Sequence, residues 1–402
     1  MWLIEILIRS FPFILLAFGY FVFYHFKKWL PTWGLSDKWN KRILRAYRIL
    51  LVLFALPWLT LTIYGHNNSI IHPEWYRLTI LYPAWVWLTV HLILFLKLLI
   101  YDVLKLITWP GVHIYRRFRP SNEVDTSRRQ WLKKSIVALP IGLFAINTIG
   151  VYGSDNYVVN RIKIPIKNLS SKLKNFKITQ ISDLHFGPFM DDKKFADYAR
   201  VIHSLKSDII VVTGDIIHSS HELIPMAARA LNQLEAKGGV YGCLGNHEYF
   251  AGVRAFRKVF KGSKVDILIN ESRRIDLYGE ELYLMGTDYS RGQEAIQQHL
   301  KQTLATIPPS EAPKILLAHH PNTFYEAKNH SVDLTLSGHT HGGQIVLGKV
   351  GRTYLSLGQL AFRYVKGHYE ENESQLYVNS GLGHWLPLRL NCPPEITQFI
   401  LV

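Results

Sequence analysis

Hydrophobic and polar positions follow two rhythms along this chain. Up to about residue 155 the apolar residues come in long, charge-poor runs. Beyond it they come in short runs that end in clusters of Asp, Asn, His and Gly. Four of the long runs predict membrane-spanning helices: Ser10–His25, Ile49–Tyr64, Leu78–Leu96 and Ser135–Ser154. The last two contain no Lys, Arg, Asp or Glu. As helices, runs of this length cover a hydrocarbon layer of roughly 30 Å, the first two with help from their flanks. Trp58, Trp85 and Trp87 suit apolar or interfacial settings. His91, inside the third run, reads as a hydrogen-bonded packing residue.

Charge sharpens this picture. The formal net charge is +16, which raises the question of nucleic acid. Residues 1–155 carry 18 Lys/Arg against 7 Asp/Glu, however, so most of the excess sits in the apolar half. It therefore reads as membrane topology, and no nucleic-acid partner is expected. Of those 18 basic residues, 16 fall in two alternate loops, from Lys27 to Arg48 and from Lys97 to Lys134. The excess of basic residues on cytoplasmic loops places both loops inside. The N-terminus and everything after the fourth run are then extracytoplasmic. The segment Ser127-Arg128-Arg129-Gln130-Trp131-Leu132-Lys133 resembles a bacterial twin-arginine export signal, here internal. The expectation is a multi-pass cell-membrane protein with a membrane region over 1–155 and an outward-facing domain over 156–402.

In the second half, Lys177–Ile181, Ile209–Thr213, Val240–Leu244, Lys314–Ala318 and Val332–Leu336 read as buried strands. Ala196–Leu205 and Ile224–Leu234 read as amphipathic helices. Each strand is followed by a polar cluster, and loops at strand ends are where α/β proteins build sites. The clusters are Asp183-Leu184-His185, Gly214-Asp215, Gly245-Asn246-His247-Glu248, His319-His320-Pro321 and Gly338-His339-Thr340-His341-Gly342-Gly343. Asp, Asn and His suit Mn, Fe or Zn better than calcium. Alternate residues on an extended segment point the same way, so Asp183 and His185 can meet one ion, and His339 and His341 can share another site. His218 and His221 follow the Asp215 strand and read as surface or capping residues ahead of lining the cleft, and Glu248 reads as a loop-orienting residue. His384 and Trp385 lie in a Gly-rich tail loop. The two cysteines are too few for a disulfide framework, and Cys243, in an apolar run, reads as a buried thiol.

These five clusters, in this order, resemble the signature blocks of the calcineurin-like metallophosphoesterase superfamily. The tail around Gly381-Leu382-Gly383, Pro387-Leu388-Arg389 and Pro393-Pro394-Glu395-Ile396 resembles a membrane-associated bacterial subgroup. The resemblance implies a two-sheet αββα sandwich, here preceded by the all-α four-helix transmembrane region. It implies a phosphoric ester hydrolase that uses two divalent metal ions and in-line attack by a metal-bridging hydroxide. Asp183, His185 and His341 would bind one ion; Asn246, His319 and His339 would bind the other; Asp215 would bridge them. His319 is preferred to His320 because the family ligand stands two residues before Pro321. His247 would contact the phosphoryl group or protonate the leaving oxygen, with Asn246 also at the substrate. A membrane-proximal site favours lipid-linked phosphates as substrates and membrane lipids as partners. Two other readings compete: a nucleotide or cyclic-nucleotide phosphodiesterase, and a transporter or receptor module with a regulatory phosphoesterase domain.

Overall fold

The computed structural model describes residues 2–63, 73–118, 140–351, 353–384 and 386–402. Two compact units divide the chain, one within residues 1–152 and one from Gly153 to Val402.

The first unit is helical, with long helices over Trp2–Trp29, Asp37–Ile63 and Tyr82–Phe118 and a shorter one over 140–152. Aromatic side chains join them: Phe18 stacks on Phe95 at 4.1 Å and Trp58 meets Trp85 edge-on at 4.6 Å. His91 is hydrogen-bonded inside the bundle to Tyr47 at 2.7 Å. The expected four-helix transmembrane region is not supported. Among the described residues, no helix is long and apolar enough to cross a membrane. The physical reason lies in where polar groups fall. Lys38, Lys41, Arg42, Arg45 and Arg48 take up the first half of the second helix. Lys97, Asp102 and Lys105 interrupt the third, whose charge-free opening is diluted by Tyr82, Pro83, Trp85, Trp87 and His91. Tyr20, Tyr24 and His25 do the same to the first. Among the described residues the inside–outside assignment has no spans to rest on. The twin-arginine-like segment, the start of the fourth run, the end of the second and Trp385 lie outside the described residues.

The second unit is the expected αββα sandwich. Fourteen strands run in chain order: β1 Val158–Ile164, β2 Lys177–Ile181, β3 Ile209–Thr213, β4 Val240–Cys243, β5 Val265–Ile267, β6 Glu271–Leu277, β7 Glu280–Gly286, β8 Lys314–Leu317, β9 Leu334–Ser337, β10 Val346–Val350, β11 Thr353–Ser356, β12 Gly367–Glu371, β13 Ser374–Val378 and β14 Glu395–Leu401. One six-stranded sheet has the order β1-β14-β2-β3-β4-β5 and the other β12-β13-β9-β8-β7-β6; β10 and β11 form a separate hairpin. β2 to β5 run parallel, as do β7, β8, β9 and β13. Ile178, Val211 and Phe399 of the first sheet pack against Leu284, Leu317 and Leu336 of the second, forming the inter-sheet core. Helices Asp192–Ser204, Ile224–Leu231 and Val253–Phe260 cover the outer face of the first sheet. Gln293–Leu304 and Phe324–Ala327 cover that of the second. Strands covered on both faces carry near-continuous apolar runs, as β3 does, and β3 and β9 are buried at every position, Thr335 and Ser337 of β9 included. The carboxyl ends of β2, β3, β4, β8 and β9 converge on one edge of the sandwich.

Candidate metal centre

All five polar clusters leave their strands at that edge. Asp183, His185, Asp215, His339 and His341 have positive φ, between 48° and 71°. Left-handed backbone is uncommon outside glycine and costs on the order of 1–3 kcal/mol per residue. Five such residues in one place mark a site held together by its surroundings. This also corrects one expectation: Asp183 and His185 do meet, but through left-handed turns rather than by alternation along an extended segment.

Glycines let the loops touch. A Cβ on Gly245 would lie 2.2 Å from Asp215 Oδ1, and one on Gly338 would lie 2.2 Å from Asp183 Oδ2. Below them Glu248, fully buried, closes the loops. Its Oε2 accepts from the backbone N–H of Gly245 at 2.7 Å and Asp215 at 3.1 Å, and its Oε1 from Ile216 at 2.8 Å and Ile217 at 3.3 Å. Glu248 therefore orients the loop, as its sequence position suggested.

The side chains fall into two groups. In the first, Asp183, His185 and His341 present ligand atoms within 4.8 Å of one another. His185 Nε2 and His341 Nε2 face each other at 3.0 Å, and His341 Nε2 lies 3.4 Å from Asp183 Oδ1. Asp183 also accepts from Ser182 Oγ at 2.6 Å and from the His339 N–H. In the second, Asp215, His319 and His339 meet within the same limit. His319 Nε2 lies 3.1 Å from Asp215 Oδ2, and His339 Nδ1 lies 3.2 Å from His319 Nε2. Asp215 Oδ2 is also 3.9 Å from His185 Nε2, so this carboxylate stands between the groups. Asn246 is buried beside them, and its Oδ1 has no hydrogen-bond partner. His320 turns away: its Nδ1 accepts from the Asn322 N–H at 3.2 Å and caps the turn Pro321–Thr323.

Protonation suits this donor set. Burial pushes the pKa of His185 and His341 well below the usual range, and that of His339 down to about 2. Neutral imidazoles keep lone pairs for a cation. Burial raises Asp183 to about 6. Burial works the same way on Asp215, but His319 and the imidazoles of His247 and His185 outweigh it and hold the carboxylate well below its ordinary value. Burial opposes charge on His319 too, yet the Asp215 carboxylate prevails and raises it to about 9. His319 Nδ1–H donates to the Thr213 carbonyl at 2.7 Å, the usual way a metal-binding imidazole is oriented. An orphaned carboxamide oxygen, two carboxylates and four convergent imidazoles fit divalent ions.

His247 sits at the mouth. The His218 carbonyl can only accept, so the short contact there fixes the proton on His247 Nδ1. Its Nε2 points inward, 4.0 Å from Asp215 Oδ2. Two groups were undervalued by sequence reasoning. The His218 ring joins His185 and His247 in a third close group, with no signal beyond its position three residues after Asp215. Arg389 is buried and donates to the carbonyls of Ser380 at 2.8 Å and Gly383 at 2.6 Å, with Nη2 3.3 Å from His341 Nδ1. Its trace in the sequence was only the Pro387-Leu388-Arg389 tail. His384 is buried, 3.6 Å from Asp155. An aromatic rim surrounds the mouth: Phe250 against His247 at 5.2 Å, Tyr289 against His319 at 6.0 Å and Phe362 against His339 at 5.5 Å.

The sequence model of the calcineurin-like phosphoesterase family matches residues 176–343, a span that holds all five clusters. An uncharacterised metallophosphoesterase of Bacillus subtilis is 31% identical over 298 residues, which is 68% of this chain and 97% of that protein. One from Helicobacter pylori is 33% identical over 233 residues, 57% of this chain and 60% of that protein, so the chain spans less than two thirds of that relative. A transmembrane protein with metallophosphoesterase domain from Bos taurus is 28% identical over 306 residues, 71% of this chain and 66% of that protein.

Proposed function

This chain belongs to the calcineurin-like phosphoesterase family, and from that premise we propose that it hydrolyses phosphate ester or anhydride bonds with two divalent metal ions. The observation that carries the reading is the convergence of seven donor residues from five strand ends around Asp215. Asp183, His185 and His341 would hold one ion and Asn246, His319 and His339 the other, with Asp215 shared between them. When bound, such ions supply an activated water and neutralise charge on the phosphoryl oxygens. The protein supplies the rest. Asp215 offsets the repulsion between the cations. Asn246 and His247 face the phosphoryl group. Because His247 Nδ1–H is committed to the His218 carbonyl, only the imidazolium form, which carries a second proton on Nε2, can deliver a proton to the leaving oxygen as its bond to phosphorus breaks, and His247 is left as the neutral imidazole. General acid catalysis of this kind contributes about 10²–10⁴-fold.

The rim favours a leaving group that carries hydrocarbon, as in a lipid-linked phosphate met at a membrane surface. Phe250 is 65% exposed and Leu360 90% exposed. The turn Leu357–Leu360 is tied to the metal loop by Ser356 Oγ, which donates to the Gly342 carbonyl at 3.0 Å. An aryl phosphomonoester, an aryl phosphodiester, pyrophosphate and a micellar lipid phosphate, each assayed with Mn²⁺, test both levels. The lipid phosphate is expected to have the highest kcat/KM. Asp215→Asn is expected to lose hydrolysis and metal, and His247→Ala to keep metal and lose turnover. Full activity in either variant overturns the reading.

A further inference from the structure

The helical unit contains a cavity that phosphoester chemistry does not use. Its volume is about 800 Å³, inside the range of roughly 300–1,000 Å³ for small-molecule sites. Phe26 of the first helix, Leu50 of the second, Trp87 and Leu98 of the third, and Ile141 and Phe144 of the fourth supply its walls.

The wall chemistry selects an occupant. Of the polar side chains in the lining, Tyr47 and His91 satisfy each other, which leaves Lys97, Tyr101 and the indoles of Trp29, Trp33 and Trp87. The Trp87 carbonyl can only accept, so the 2.7 Å contact puts the proton on His91 Nδ1. His91 Nε2 then accepts from the Tyr47 hydroxyl, also at 2.7 Å. The pair has no donor left for a ligand. Ordered water needs two to four polar partners, which walls of this kind do not offer; hydrocarbon needs none. Among the described residues, Lys97 is the only charged side chain in the lining, and it is exposed. Tyr101, also in the lining, stands four residues on, where helical side chains share a face. Polar recognition is therefore confined to one end, and its sign is positive.

We propose that this cavity binds the chain of a single-tailed amphiphile whose anionic headgroup pairs with Lys97. The inference is independent of the phosphoesterase reading, because it uses none of the catalytic residues.

Brominated hydrocarbon quenches tryptophan on contact, and Trp29, Trp33 and Trp87 line the cavity. Full-length protein is titrated with dibrominated stearate, with unbrominated stearate as competitor. Saturable quenching that stearate reverses is expected. Ala145→Phe, which fills the cavity from the fourth helix, should abolish it. Lys97→Glu, on the surface, should weaken stearate binding on the order of tenfold and leave the brominated alcohol of the same length unaffected. Hydrolysis of a soluble phosphodiester should be unchanged in both variants, which separates this site from the metal centre. Absence of saturable quenching overturns the proposal. So does quenching that persists in Ala145→Phe, or an equal loss of acid and alcohol in Lys97→Glu. Should Ala145→Phe fail to fold by circular dichroism, the Lys97→Glu comparison decides.

Discussion

Replacing Glu248 with Gln removes one carboxylate oxygen from a buried cradle of four backbone N–H groups. Whichever oxygen becomes the amide, two of those donors lose their acceptor and face another donor instead. Each buried donor left unpaired costs about 1–3 kcal/mol, so the expected loss is about 2–6 kcal/mol. For a domain of this size each kcal/mol shifts Tm by roughly 2–4 °C. A fall on the order of 10 °C follows, against a shift near zero for an exposed control such as Glu370→Gln. The orphaned pair is either Asp215 N–H with Gly245 N–H or Ile216 N–H with Ile217 N–H, and in both cases the loop carrying Asp215 loses an anchor. Metal affinity should therefore fall together with stability, by about 10–100-fold. Differential scanning calorimetry with and without Mn²⁺, beside metal analysis after dialysis, reads both effects. A Glu248→Gln protein with wild-type Tm and wild-type metal content refutes the reasoning.

Two further outcomes follow from the same geometry. In Gly245→Ala the new Cβ would stand 2.2 Å from Asp215 Oδ1 and 2.5 Å from Asp215 N. The carboxylate must move by about 1 Å, which should lower kcat about 100-fold; an unchanged kcat on an aryl phosphodiester contradicts this. Metal loading must displace the proton that Asp215 holds on His319, whose pKa is raised to about 9. Apparent metal affinity should therefore rise with pH and level off above about 9. Loading at neutral pH should release about one proton, measured by calorimetry in buffers of different ionisation enthalpy. Release that persists undiminished well above pH 9 contradicts the assignment.

The site was legible in the sequence to a greater depth than the rest of the chain. Lys177–Ile181 and Ile209–Thr213 form strands with the bounds expected; Ile209–Thr213 does so as the near-continuous apolar run that a doubly covered strand needs. The cluster after each strand then had only one edge of the sandwich to occupy. Hidden from the sequence were the groups that act through shape. The left-handed turns that aim Asp183 and His185 depend on glycines and neighbours from other loops. Arg389 is some fifty residues from His341 along the chain, and nothing local announces their contact. The expectation of four membrane-spanning helices failed for a different reason. Apolar content was counted over runs, whereas crossing a bilayer requires the apolar stretch to coincide with one long helix, and Tyr, Trp, His and the basic residues break that coincidence. Of these residues, Trp87 and His91 instead line a cavity.

The central claim is that seven donors from five loops form one two-metal centre. Its most direct test is the metal content of active, full-length protein after exhaustive dialysis against trace Mn²⁺, measured alongside turnover. The account predicts two ions per chain, with activity rising as the second ion binds. It also predicts coordinate loss of both ions in Asp215→Asn. Full activity with a single ion per chain, or two ions retained in Asp215→Asn, contradicts it.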